Sequence, residues 1–165
     1  MTVSRDDLTA QVRSVLDASG IEYEDGTRPG EVIASLPGDH KLRTAVSLLV
    51  GDHSLSASAF VIRRPDENTD RVHAWMLRRN ARLQGVAYAI DRDGDVFVVG
   101  RLPVAAVTPD AVDALLGAVL DASDSAFDTL LAMGFLTSMR REWAWRVSRG
   151  ESTRNLDAFR HLLED

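Results

Sequence analysis

The chain has 165 residues, 45% of them hydrophobic and 27% charged, with a formal net charge of −6. Such a composition is too apolar for a disordered chain, and its acidity argues against bulk binding to nucleic acid or anionic membrane. With no cysteine present, disulfides, thiolate zinc sites and cysteine nucleophiles are excluded. The length suits a single domain over 1–165 with its own core. A helical extension is expected from about residue 135 onward. The start, MTVSRDDLTA, is too polar and acidic for a secretory signal. No apolar run approaches the roughly 20 residues that span a bilayer, so a cytoplasmic location is the expectation.

In chain order, Leu8, Val12, Val15 and Leu16 fall at helical spacing, predicting a helix over Asp6–Ser19 with Ser4 as its cap and Gly20 as its stop. Residues 21–30 read as a connector, with a short extended piece near Ile21–Glu24. Glu31–Leu36 is strand-like and ends at Pro37-Gly38. Leu42, Thr44, Val46, Leu48 and Val50 alternate with Arg43, Ala45 and Ser47. In Ser54–Ile62 the serines 54, 56 and 58 oppose Leu55, Ala57, Ala59 and Val61. The two strands predict an antiparallel hairpin, solvated on the serine side and covered by a helix on the alanine side.

A helix is predicted over Asp66–Gln84, with Val72, Trp75, Met76 and Leu83 as its apolar stripe. Val86–Ile90 and Val96–Leu102 make a second hairpin through Asp93-Gly94. Thr108-Pro109-Asp110 is a helix start. Its pattern weakens at 121–125, resumes at Phe127, and is expected to end at Gly134. A further helix over Thr137–Ser148 and a short one over Leu156–Leu163 close the chain. The predicted fold is α+β, an antiparallel sheet split in sequence by a helix and covered by helices.

The sequence carries no catalytic constellation. Asp91–Asp95 resembles the start of an EF-hand, but the bidentate glutamate due at the twelfth position is Leu102, so the plain Asp-Gly hairpin reading stands. His40, His53, His73 and His161 have no metal-pair spacing; His40 and His53 read as turn histidines that could neighbour each other across a hairpin. No serine sits in a nucleophile elbow, and no phosphate loop or dinucleotide fingerprint occurs. Asp121, Asp124 and Asp128 read as a solvated helix face. No cofactor or metal is expected.

Arginine with tryptophan is the remaining signal. Lys41 is the only lysine, so nearly all positive charge is arginine. Leu136, Met139, Trp143 and Val147 form a core stripe, while Trp145 points nearly the other way, flanked at i±4 by Arg141 and Arg149. One reading folds the terminal helix, or a second copy, over Trp145. The other leaves Trp145 as a partner site, since Trp and Arg dominate interface hot spots. Arg78 and Arg82, with Arg71 and Arg79, line the earlier helix. Either they pair with Asp66, Glu67, Asp70 or more distant carboxylates, or they take an anionic ligand or acidic partner.

The runs LPGDHKLRTAVSLLVGDHSLSASAFVIRRPDEN, WMLRRN, GVAYAIDRDGDVFVVGRLP and RREWAWRVSRGESTRNLDAFRHL together resemble the bacterial YbjN-type family. That resemblance implies a fold similar to type III secretion chaperones. It also implies a non-enzymatic cytoplasmic protein, regulatory or chaperone-like and often dimeric. The leading expectation is therefore a protein-interaction module working as a homodimer. Its contacts are expected at Arg141, Trp145 and Arg149, with Arg78 and Arg82. The alternative is a small-ligand sensor or enzyme that holds an anion through clustered arginines.

Overall fold

The computed structural model describes residues 3–164. The first helix, α1 (Arg5–Ala18), begins with a reciprocal capping box between Ser4 and Asp7, and buries Leu8, Val12, Val15 and Leu16. Six strands follow: β1 (Glu22–Asp25), β2 (Glu31–Pro37), β3 (Arg43–Val50), β4 (Ser54–Ile62), β5 (Val86–Ile90) and β6 (Val96–Pro103). They form one antiparallel sheet in the order β1-β2-β3-β4-β6-β5. The predicted connector thus holds an edge strand. Between β4 and β5 lies α2 (Thr69–Asn80), and after β6 comes α3 (Pro109–Arg149).

One sheet face is the core. Val32, Leu48, Ala57 and Gly100 lie in register across it, as do Ala34, Val46, Ala59 and Val98 in the next row. Onto these rows α3 sets Val112, Leu116, Val119, Ala126 and Leu130. The alanines do what their size suggested: they let the helix approach closely. A Cβ at Gly100 would come within 2.7 Å of Leu115, so this strand glycine is a packing requirement. Leu42 does not join the core. It is 92% exposed because β3 begins one residue later, where the β2–β3 turn releases the chain.

The opposite face carries no helix. Ile33, Ser47, Ser58, Val99 and Ala87 form one row across five strands. Ser35 opposite Ala45, and Phe60 opposite Phe97, lie in the next row. All are half-buried or exposed. The two phenylalanines meet edge to face at 5.6 Å.

Gly134 does not end a helix. A single α3 of 41 residues runs through it to Gly150, whose left-handed φ of 66° closes the helix. The glycine answers to tertiary packing: a Cβ there would lie 2.9 Å from the Cβ of Pro65. The segment ahead of α2 docks into α3 at this point. The Gly134 carbonyl accepts from the Asp66 and Glu67 amides at 3.0 and 3.2 Å. The Met133 carbonyl accepts from the Asn68 side chain at 3.0 Å, while the Thr137 amide donates to the Glu67 carboxylate at 2.8 Å. This docking also explains why α2 starts later than predicted. Asp66 and Glu67 are committed to α3, and Asn68 is left-handed with φ of 54°, so helical backbone begins at Thr69.

The predicted solvated aspartate face is a clamp. Asp124, only 9% exposed, accepts from the backbone amides of Asp39, His40 and Lys41 at 3.1, 3.0 and 2.8 Å. Asp128 bonds the His40 Nδ1 at 2.7 Å. Together they pin the β2–β3 turn onto α3. A Cβ at Gly38 would collide with the Asp124 carboxylate, so the Pro37-Gly38 turn is shaped to receive it. His40 and His53 are not neighbours, because they sit in turns at opposite ends of β3.

Candidate partner-binding surface

Beyond Gly134, α3 leaves the sheet and carries its own small cluster. Gly150 turns the chain back, and Glu142 pairs with Arg146 at 2.8 Å as the i, i+4 spacing requires. Arg146 also donates to the Ser152 carbonyl at 2.9 Å, fixing the reversal. A 3-10 turn over Arg154–Phe159 and a last helical turn, α4 (Arg160–Leu163), then lie against α3. Leu156, Phe159 and Leu163 pack on Met139, with Leu136 and Trp143 beside them. Arg140 donates to the Leu162 carbonyl at 3.1 Å, and the Arg160 guanidinium lies 5.7 Å over the Trp143 ring.

This fold-back decides between the two apolar sides of the helix. The terminal segment covers the Met139 and Trp143 side and does not cover Trp145. Trp145 stands 47% exposed, with the Arg149 guanidinium 4.8 Å over its ring. Arg141, one turn earlier on the same face, is exposed and has no ion pair among the described residues. Val147, expected on the core stripe, is 57% exposed, because the cover ends before reaching it. A solvent-facing cation–π pair of this kind is worth about 0.5–1 kcal/mol, a roughly two- to fivefold bias toward the stacked orientation.

Arg78 and Arg82 are also exposed and unpaired among the described residues, but elsewhere. Asp66 is taken by Arg63 at 2.7 Å and Glu67 by Thr137, so the predicted pairing of the α2 arginines with these acids does not occur. The end of α2 lies beside the middle of α3: Tyr88, whose backbone bonds the Asn80 side chain and whose ring tilts against Trp75, donates its hydroxyl to the Ala122 carbonyl at 2.6 Å. At 1.5 Å per residue along α3, Trp145 is roughly 35 Å from that point. The two arginine groups therefore form two patches. Neither gathers around a closed cleft, and Arg71 also faces solvent.

One feature escaped the sequence reading. Phe60, Phe127, Leu131, Phe135 and Met139 line an apolar cleft of about 420 Å³ between the end of β4 and α3. Arg63 caps Phe135 at 4.4 Å, and Lys41 reaches the Phe60 carbonyl at 2.6 Å. Burial pushes the Lys41 ammonium below the usual lysine pKa. Phe127, Leu131 and Phe135 recur at i, i+4, i+8, a pattern that reads equally well as core. No group of three or more potential metal ligands occurs among the described residues. None of their helices is long and apolar enough to cross a membrane.

A family model described as "Putative bacterial sensory transduction regulator" and named YbjN matches residues 9–132. The chain belongs to the YbjN family. An uncharacterized protein of Mycobacterium tuberculosis is 46% identical over 98% of this chain and 91% of its own length. Another, from Mycobacterium leprae, is 44% identical over 93% and 86%. Among solved structures, the ExsC–ExsE complex superimposes with a TM-score of 0.57 at 21% identity, covering 76% of this chain and 95% of that one. YbjN from E. coli gives 0.55 at 18%, covering 80% and 92%. The Yersinia pestis type III secretion chaperone SycH, bound to a fragment of YscM2, gives 0.51 at 16%, covering 70% and 96%. The α+β fold of this YbjN-family chain is thus that of the type III secretion chaperones.

Proposed function

We propose that this protein is a non-enzymatic, cytoplasmic protein-binding module of regulatory or chaperone-like type. It works as a homodimer, needs no cofactor, and engages an unidentified protein or peptide through Trp145, Arg141 and Arg149. Arg78 and Arg82 form a second, separate patch for an acidic stretch of that partner. The observation that carries the reading is the exposed, arginine-stacked indole of Trp145, which the chain's own tail leaves uncovered. A rigid indole offers large contact area at small entropic cost, and Trp and Arg are the residue types that concentrate interface free energy. ExsC and SycH, of the same fold, were each crystallised with a protein partner. Arg78, Arg82, Arg141 and Arg149 line no common pocket, and the cleft that Arg63, Arg64 and Arg92 do line is shared with Asp66, Asp93 and Asp95, so the geometry favours the small-anion alternative less.

Trp145→Ala tests the proposal. The side chain lies outside both apolar clusters, so the thermal midpoint should stay within a degree or two of wild type. Proteins that co-purify with the wild-type chain should be depleted about tenfold or more, as loss of a hot-spot residue implies. Quantitative mass spectrometry of both preparations reads this out. Unchanged recovery of every co-purifying protein sinks the assignment of Trp145.

A further inference from the structure

The apolar cleft between β4 and α3 has charged side chains at its rim, and two of them are already paired. Arg63 holds Asp66 at 2.7 Å while its guanidinium lies over Phe135, and Ser138 donates to the same carboxylate at 3.0 Å. Glu142 pairs with Arg146 at 2.8 Å. Lys41 is the exception. Its ammonium is partly buried between the Phe60 and Phe127 rings, 5.3 and 5.8 Å from their centroids. One N–H donates to the Phe60 carbonyl at 2.6 Å, and the other two have no partner among the described residues. The acids that clamp its turn are committed elsewhere, Asp124 to backbone amides and Asp128 to His40. Burial lowers the Lys41 pKa with no carboxylate to pull it back. Such a cation, half out of water and without a counter-ion, carries a cost that a bound anion recovers.

We propose that this cleft binds a free fatty acid, with its carboxylate on the Lys41 ammonium and its alkyl chain along α3. Phe127, Leu131, Phe135 and Met139 recur at i, i+4, i+8 and i+12, so they make one apolar wall about 18 Å long at 1.5 Å per residue. The opposite wall is the end of β4. A bulge between Phe60 and Ile62 breaks the strand's alternation there, so Phe60, Val61 and Ile62 all border the cleft. Lys41 stands at the Phe127 end of this wall and Glu142 at the Met139 end. The cleft of about 420 Å³ falls within the roughly 300–1,000 Å³ of small-molecule sites, which are likewise apolar with a few placed polar groups.

Head and tail are both specified. The spare N–H donors of one ammonium take one carboxylate, and the Glu142 end offers no second cation for a diacid. An extended alkyl chain follows the whole wall, whereas a compact aromatic acid would reach only its Phe127 and Leu131 end. A peptide segment would bury amides for which these walls have no free partner, because Ser138 is engaged with Asp66 and the Phe60 carbonyl with Lys41. The cleft shares no lining residue with the Trp145 surface, so this site stands apart from the protein-binding reading.

Calorimetric titration of the full chain with sodium laurate, kept below its micelle concentration, tests the assignment. Laurate should bind one to one. Decanoate, shorter by two methylenes, should bind about fifteenfold more weakly. Dodecyltrimethylammonium has the same alkyl chain with a cationic head, and should bind weaker than laurate by about tenfold or more. Lys41→Met keeps the stem and removes the ammonium, so it should weaken laurate about tenfold and abolish the preference for the anionic head. The head-group comparison on wild type needs no variant and stands even if Lys41→Met fails to fold. Carbon-13 labelling of the methionine methyls locates the ligand: laurate should shift Met139 and leave Met76, which lines a separate apolar hollow between α2 and β5. Equal affinity for the two heads means adsorption of the tail alone, and a shift at Met76 in place of Met139 puts the ligand elsewhere. Either result overturns the site, as does no binding of laurate. A chain that ignores laurate while an uncharged apolar peptide moves Met139 assigns the cleft to a protein segment instead.

Discussion

At the scale of single residues, the β2–β3 turn is the most closely specified part of the molecule. Asp124 receives three backbone amides. Burial by itself would raise its pKa, but the Lys41, His40 and Asp39 amides outweigh burial and hold the carboxyl below its usual value of 3.8. Its contribution to stability is present above pH 3.8 and is lost as pH falls through the depressed value. Asp124→Ala strands those donors and should cost about 2–3 kcal/mol in urea denaturation at neutral pH. His40 titrates in the opposite sense. Its bond to Asp128 raises the imidazole pKa above 6.5, so this contact stabilises fully below pH 6.5 and fades as pH rises through the raised value. His40→Gln should therefore lower the melting temperature more at about pH 6 than at about pH 9. Equal losses at both pH values would show that the imidazolium contributes nothing.

At the scale of elements, α3 is two helices in one. Its first half is sheet-facing, its second half carries the satellite cluster, and between them the docked segment Pro65–Asn68 bonds the Met133 and Gly134 carbonyls and the Thr137 amide. Gly134→Val would press a branched side chain into Pro65. It should cost about 1–3 kcal/mol and raise amide exchange from residue 137 onward more than in the sheet. Uniform exchange along α3 would argue against a separable second half.

These elements also show what the sequence could express. Strand alternation in 44–50 and 55–61 is a period-two signal with one buried face, and every one of those core positions held. Gly134 reads locally as a helix stop because glycine is a poor helix former, whereas its actual constraint, Pro65, lies 69 residues away. The start of α2 slipped for the same reason: Asp66 and Glu67 suit a helix N-terminus locally but serve a distant helix. For the tail, two apolar sides of α3 competed for one short cover. The reversal at Gly150, fixed by Arg146 on the Ser152 carbonyl, made the choice, and no local propensity encodes it.

At the scale of the whole molecule, the layers set which surfaces remain for other chains. All helices lie on one side of the sheet, so the molecule has a back, the bare strands, and a front, the helices with the Trp145 ridge. In the proposed homodimer each copy would bring its own Trp145 ridge. A partner with two copies of the recognised segment gains from this arrangement through effective concentration, without any new contact. A tandem ligand should then bind 10²–10⁴-fold more tightly than a single segment, provided its linker spans the pair. Comparing single and tandem segments by calorimetry would show it, once a partner is in hand.

The position of α3 also sets a timetable for synthesis. The last strand ends at Pro103 and the covering helix begins only at Pro109. A ribosome adding about 5–20 residues per second takes about 2–8 s to produce that helix, and the exit tunnel delays its arrival further. Throughout that interval the sheet's valines and alanines have only α1 and α2 to shelter them. Newborn chains on one messenger are thus most prone to stick to one another while α3 is still being made.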